Sequence, residues 1–153
     1  LGVVYNPMLD ELFVAEKGKG AFLNGKRIRV SKIDTLNKSL LATGFPYDVR
    51  TSSVNNLDNF ASFAVRAQAI RRAGSAALDL SYTACGRFDG FWEMKLRPWD
   101  VAAAALMVTE AGGAITDFKG GEFSIHGKEC LASNGLIHGE MLEVLKKERD
   151  RTG

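Results

Sequence analysis

Two carboxylates sit close together in the sequence where chemistry can be built. Glu93 ends the aromatic run Phe91-Trp92, and Asp100 follows seven residues later, behind Pro98-Trp99. Asp100 falls in the first turn of a segment made of Val101, four alanines, Leu106, Met107 and Val108. That segment is apolar nearly all round, which predicts a buried helix. Free N–H groups and the positive dipole end at a helix start keep a carboxylate ionised. An ionised oxygen there suits a hard cation such as Mg²⁺, and it also suits an Asp that only caps the helix. If the strand carrying Glu93 ends beside that helix start, the two carboxylates reach one rim, where they can take a metal or a polyol hydroxyl. The plainer alternative for Glu93 is a surface residue at a strand end. Gly74-Ser75-Ala76 opens a second helical segment, whose N–H groups can meet an oxyanion or hydroxyl. The alternative is an ordinary Ser75 N-cap.

Other reactive groups are less organised. His126 and His138 lie 12 apart and share no helical metal motif. Cys85 and Cys130, 45 apart, lack metal-ligand spacing and read as reduced thiols of a cytoplasmic protein. No Gly-x-Ser-x-Gly elbow occurs, so a Ser-His-Asp hydrolase is not supported. Lys17-Gly18-Lys19-Gly20 reads as a hairpin turn, because both the GxGxxG and Walker spacings are missing. Arg71-Arg72 fits an anion or a subunit contact equally well.

The elements that must position these groups follow from periodicity. Leu1 to Tyr5, rich in β-branched residues, reads as the middle of a buried strand, and this leads us to expect that a preceding part of the protein exists. Strands are predicted over 11–17, 21–23 and 27–30, the last two joined at Asn24-Gly25, where both residues tolerate positive φ. From Lys38 the pattern turns to alternating strands and helices. Strands fall at 39–43, 68–71, 89–94, 114–117 and 131–133, and helices at 54–65, 76 to about 86, 98–111 and 136–147. Gly112-Gly113 closes the third helix, and the polar stretch 146–153 is expected to fray. This alternation implies a layered α/β fold.

Composition bounds the rest. The 153 residues are 46% hydrophobic and 25% charged, enough for a real core and against disorder or coiled coil. The net charge of +2 calls for no nucleic-acid or membrane partner. No apolar run reaches the length of a transmembrane helix, and no signal peptide opens the chain.

Several separated motifs run in order along essentially the whole chain: Glu16 to Gly25, Thr43-Gly44-Phe45-Pro46, Arg72-x-Gly74-Ser75-Ala76-Ala77-Leu78-Asp79-Leu80, Gly86-Arg87-x-Asp89-Gly90, Leu96-Arg97-Pro98 and Trp99-Asp100-Val101 to Glu110-Ala111-Gly112-Gly113. Together they resemble the inositol monophosphatase family in its bacterial and archaeal branch, and the last of them is similar to that family's C-terminal signature. The family's Asp-Pro-x-Asp-Gly-Thr loop is absent, as is an upstream Glu that helps bind metal. The chain therefore resembles the C-terminal half of such an enzyme.

The resemblance implies the layered sugar-phosphatase fold, with residues 1–37 finishing a first sheet and 38–153 forming a C-terminal α/β domain. It implies a Mg²⁺-dependent phosphatase of inositol or a related sugar or polyol phosphate. Asp100 would be the catalytic metal ligand, and Glu93 with the backbone at Gly74, Ser75 and Ala76 would hold substrate hydroxyls. It further implies a homodimer and a small-molecule substrate. Fructose-1,6-bisphosphatase, a nucleotide 3′-phosphatase and a non-enzymatic binding module are the alternatives, and residues 1–153 alone are expected to be inactive.

Overall fold

The computed structural model describes residues 1–148 and 150 in full and the backbone of 149, 151 and 152. The first sheet is an antiparallel meander of β1 (Gly2–Asn6), β2 (Glu11–Glu16), β3 (Gly20–Leu23) and β4 (Lys26–Arg27). Asn24 and Gly25 take φ of 48° and 76°, both left-handed, so the β3–β4 hairpin closes as its sequence predicts. Sequence reasoning placed the fourth strand at 27–30. It stops at Arg27. The Ile28 N–H still donates to the Ala21 carbonyl (2.9 Å), but the chain then leaves the sheet, with Ile28 and Val30 packed against the core and the Val30 N–H donating to the Ala111 carbonyl (3.3 Å).

β1 is the edge strand of this sheet, and Val3 and Tyr5 are half exposed while Gly2 and Asn6 are buried. β1 thus shows the usual strand period of two.

The second sheet runs in the order β6 (Ala69–Arg71), β5 (Leu40–Thr43), β7 (Gly90–Met94), β9 (Glu129–Ser133), β8 (Ala114–Thr116). β5 is parallel to both β6 and β7, whereas β9 runs antiparallel to β7 and β8. Helices α2 (Ala76–Ala84) and α3 (Pro98–Glu110) pack between the two sheets, and α1 (Leu57–Ala64) and α4 (His138–Thr152) pack together beyond the second. Two cores result. Phe13, Leu80, Phe91, Met107 and Val108 fill the inner one, and Leu41, Phe63, Trp92, Leu131 and Met141 the outer. Phe91 and Trp92 are adjacent on β7 yet lie in different cores, since successive strand residues face opposite sides.

Three polar clasps fix these layers. Ser31 Oγ (2.5 Å) and the Leu40 N–H (2.6 Å) both donate to the buried Asp89 carboxylate, tying the chain after β4 to the start of β5. The N–H groups of Gly18 and Gly20 donate to Glu110 Oε1 and Oε2 at 2.8 and 2.9 Å. The glycine turn therefore does cradle an anion, the carboxylate at the end of α3. The buried Asn56 side chain donates to Thr43 Oγ1 (2.9 Å) and the Gly44 carbonyl (2.7 Å) and accepts from Trp92 Nε1 (2.9 Å). That use of Asn56 explains why α1 begins at Leu57 instead of the predicted 54. Helix α4 continues through Thr152, beyond the predicted end at 147, and Ser62 Oγ donates to the buried Glu148. Of the stretch expected to fray, 146–152 is helical and Gly153 lies outside the described residues.

Candidate active site

The parallel strands β5 and β7 end side by side, and the N-termini of α2 and α3 point to the same place. A cleft of about 580 Å³ opens there. It is lined by Gly44, Arg72, Gly74, Ser75, Ala76, Asp79, Glu93 and Asp100, among others. Carboxyl ends of parallel strands facing helix N-termini are the usual binding place of α/β sheets. All five residues singled out from the sequence, Asp100, Glu93, Gly74, Ser75 and Ala76, share this one cleft.

Glu93 lies two residues after Phe91, so β7 turns it to the side of α2 and α3. It is 9% exposed, and the alternative of a surface residue at a strand end is therefore wrong. Space for its carboxyl comes from Gly44, where a Cβ would collide with the Glu93 carboxylate oxygens. Burial, then the negative charges of Asp79 and Asp100, push the Glu93 carboxyl up to about 7, against a smaller lowering by Arg72. The Arg72 guanidinium lies over the Phe45 ring, 5.7 Å from its centroid, at the same cleft.

Asp100 is the third residue of α3, and its Oδ2 accepts the Arg97 N–H at 2.9 Å. Capping is thus part of what it does, and it remains half-buried at the cleft. Ser75 is the N-cap of α2, its Oγ accepting a long bond from the Leu78 N–H (3.4 Å). Gly74 precedes it at φ +95°, a conformation that favours glycine and turns the chain into the helix.

Asp79, on the first turn of α2, was not singled out from the sequence. It is 1% exposed, and burial pushes its carboxyl up to about 7. Its Oδ1 has no hydrogen-bond partner among the described residues. An acid in a first turn is so ordinary a helix signal that only the packing of α2 against the second sheet shows it to be buried.

Among the described residues no three His, Cys, Asp or Glu side chains are grouped so as to hold a metal. Asp100 by itself would not make a closed shell for a hard cation. His138 is engaged elsewhere: its Nδ1 and Nε2 bond Ser133 Oγ (2.8 Å) and Thr116 Oγ1 (3.0 Å), and burial lowers its pKa.

Residues 1–151 match the inositol monophosphatase family profile. The chain belongs to the inositol monophosphatase family. It is 45% identical to the inositol-1-monophosphatase of Synechocystis over 95% of its own length and 50% of that protein's. It is 43% identical to the Escherichia coli protein named Nus factor SuhB, over 97% of this chain and 55% of that one. The solved inositol monophosphatase of Anabaena superposes with a TM-score of 0.93 at 44% identity, covering 95% of this chain and 57% of that one. The chain thus spans about half the length of the curated relatives it matches. Its mixed α/β layering is a partial inositol monophosphatase fold, and no helix among the described residues is long and apolar enough to cross a membrane.

Proposed function

We propose that the protein carrying this chain is a Mg²⁺-dependent, cytoplasmic and homodimeric phosphatase that hydrolyses the phosphate monoester of inositol or a related sugar or polyol. The observation that carries the reading is the buried Glu93 carboxyl, given room by Gly44 and facing the N-terminus of α2 across one cleft. A buried acceptor opposite a row of N–H donors is complementary to hydroxyl groups, which both donate and accept. In this reading the α2 N-terminus at Gly74, Ser75 and Ala76 donates to substrate hydroxyl oxygens, and Glu93 takes a hydroxyl hydrogen. Together they orient a polyol ring with its phosphate toward Asp100. Asp100 holds negative charge at the rim, fixed in place by the Arg97 N–H. The magnesium implied by the resemblance needs carboxylates beyond Asp100, so residues 1–153 by themselves should release no phosphate.

The test is phosphate release from a panel of phosphorylated compounds with Mg²⁺. The panel includes an inositol monophosphate, fructose 1,6-bisphosphate, a nucleoside 3′-phosphate and a simple aryl phosphate. Preference for the inositol ester supports the reading, and turnover of none of them rejects it. The name Nus factor carried by several relatives supports a second reading, a binding module within a larger assembly. That role would survive Asp100→Asn, whereas the phosphatase would not.

A further inference from the structure

Every other side-chain hydroxyl on α2 has a partner. Ser81 Oγ donates to the Ala77 carbonyl (2.7 Å), Thr83 Oγ1 to the Asp79 carbonyl (2.9 Å), and the Tyr82 hydroxyl accepts from Asn6 Nδ2 (2.9 Å). Asp79 stands apart, with its Oδ1 buried, unpartnered and part of a residue that lines the cleft. Leaving a buried polar group unsatisfied is costly, so such a group in a native fold calls for an explanation. Packing supplies none, since a leucine of similar size would fill the same space at no polar cost. The position does supply one. Asp79 lies one helical turn beyond Ser75, in the first turn of α2, and lines the same cleft as Glu93.

A phosphate fits the Asp79 and Glu93 side of the cleft badly, because both groups there are carboxyls. A hydroxyl fits well: it accepts from a helix N–H and gives its own hydrogen to a carboxyl oxygen. Resting on the phosphatase reading above, we propose that Asp79 is a further specificity-determining residue, which receives a second ring hydroxyl next to the one taken by Glu93. The site then recognises a pair of neighbouring hydroxyls on the substrate, one for each carboxyl, and rejects esters that lack the second.

The experiment compares kcat/KM for a cyclic polyol monophosphate and for an aryl phosphate without hydroxyls, at saturating Mg²⁺, in the full-length protein. Asp79→Leu removes the acceptor and keeps the volume. Asp79→Asn keeps an acceptor oxygen. The ratio of polyol to aryl kcat/KM is expected to fall about five- to tenfold in Asp79→Leu, through KM, and to recover most of that loss in Asp79→Asn. An unchanged ratio in Asp79→Leu, or a loss shared equally by both substrates, overturns the assignment and leaves a structural or metal role. Should Asp79→Leu fail to fold, Asp79→Ala is read by the same ratio. If the wild type turns over neither substrate, the phosphatase reading itself has failed. If the wild type prefers the polyol ester and the Asp79 variants do too, only the Asp79 inference falls.

Discussion

Glu93 and Asp79 show how position on an element decides what a carboxyl group can do. Glu93 is set among apolar strand residues with a glycine opposite, so it meets the cleft desolvated. A hydrogen bond to a charged group is worth about 1.5–3 kcal/mol, so Glu93→Gln should raise KM for a polyol phosphate roughly ten- to a hundredfold. The loss should be far smaller on an aryl phosphate, and an equal loss on both would remove Glu93 from substrate binding. For Asp79 the sign of the pH effect follows from burial. Its carboxyl ionises near 3.8 in the unfolded chain and at about 7 in the folded one. The folded state keeps its proton through that window while the unfolded state loses it. The ionisation of Asp79 therefore costs nothing below pH 4, costs progressively more as pH rises to about 7, and costs a constant amount above that, on the order of a few kcal/mol. Urea unfolding of the metal-free protein should show Asp79→Asn gaining on the wild type between pH 4 and 7. Parallel curves for the two proteins would mean that Asp79 is solvated.

At the scale of elements, the chain's own clasps set where the site residues stand. Gly44→Ala drives a methyl group into the Glu93 carboxylate, so it should raise KM at least tenfold, as Glu93→Gln does. A wild-type KM would show that Glu93 has room to move. The Glu110 carboxylate is held below its usual range by the Gly18 and Gly20 N–H groups, so its contribution to stability is present at neutral pH and lost as pH falls through that lowered value. Glu110→Ala should lower Tm and speed hydrogen exchange at those two glycines, and unchanged exchange would rule out the clasp.

Most elements were legible because their apolar residues recur at 2 or 3.6, and because Asn24-Gly25 and Gly112-Gly113 punctuate them. Boundaries failed where a side chain bonded backbone from a distant segment, as Asn56 does before α1, or where residues turned inward, as after β4. The site was legible in Asp100, Glu93 and the Gly74-Ser75-Ala76 turn. The burial of Asp79 and the space left by Gly44 were not, because each depends on which helix or strand end packs opposite.

For the whole molecule, two sheets enclose α2 and α3, and the cleft lies where both helices start. The described residues put Glu93, Asp79 and the start of α2 in the cleft and Asp100 at its rim, without a grouped set of metal ligands. The account therefore predicts that residues 1–153 alone release no phosphate, and metal-dependent turnover by that piece would contradict it. In the proposed reading this cleft is the phosphatase site, and Asp100 does more there than cap α3. Asp100→Asn separates the two roles, since Asn can still accept the Arg97 N–H but carries no charge. The most direct measurement is kcat of the full-length Asp100→Asn protein on an inositol monophosphate at limiting Mg²⁺, beside its circular dichroism. The account predicts an unchanged fold and a loss of roughly a hundredfold, about 3 kcal/mol of transition-state stabilisation. A wild-type rate at limiting Mg²⁺ would contradict it and leave Asp100 a helix cap.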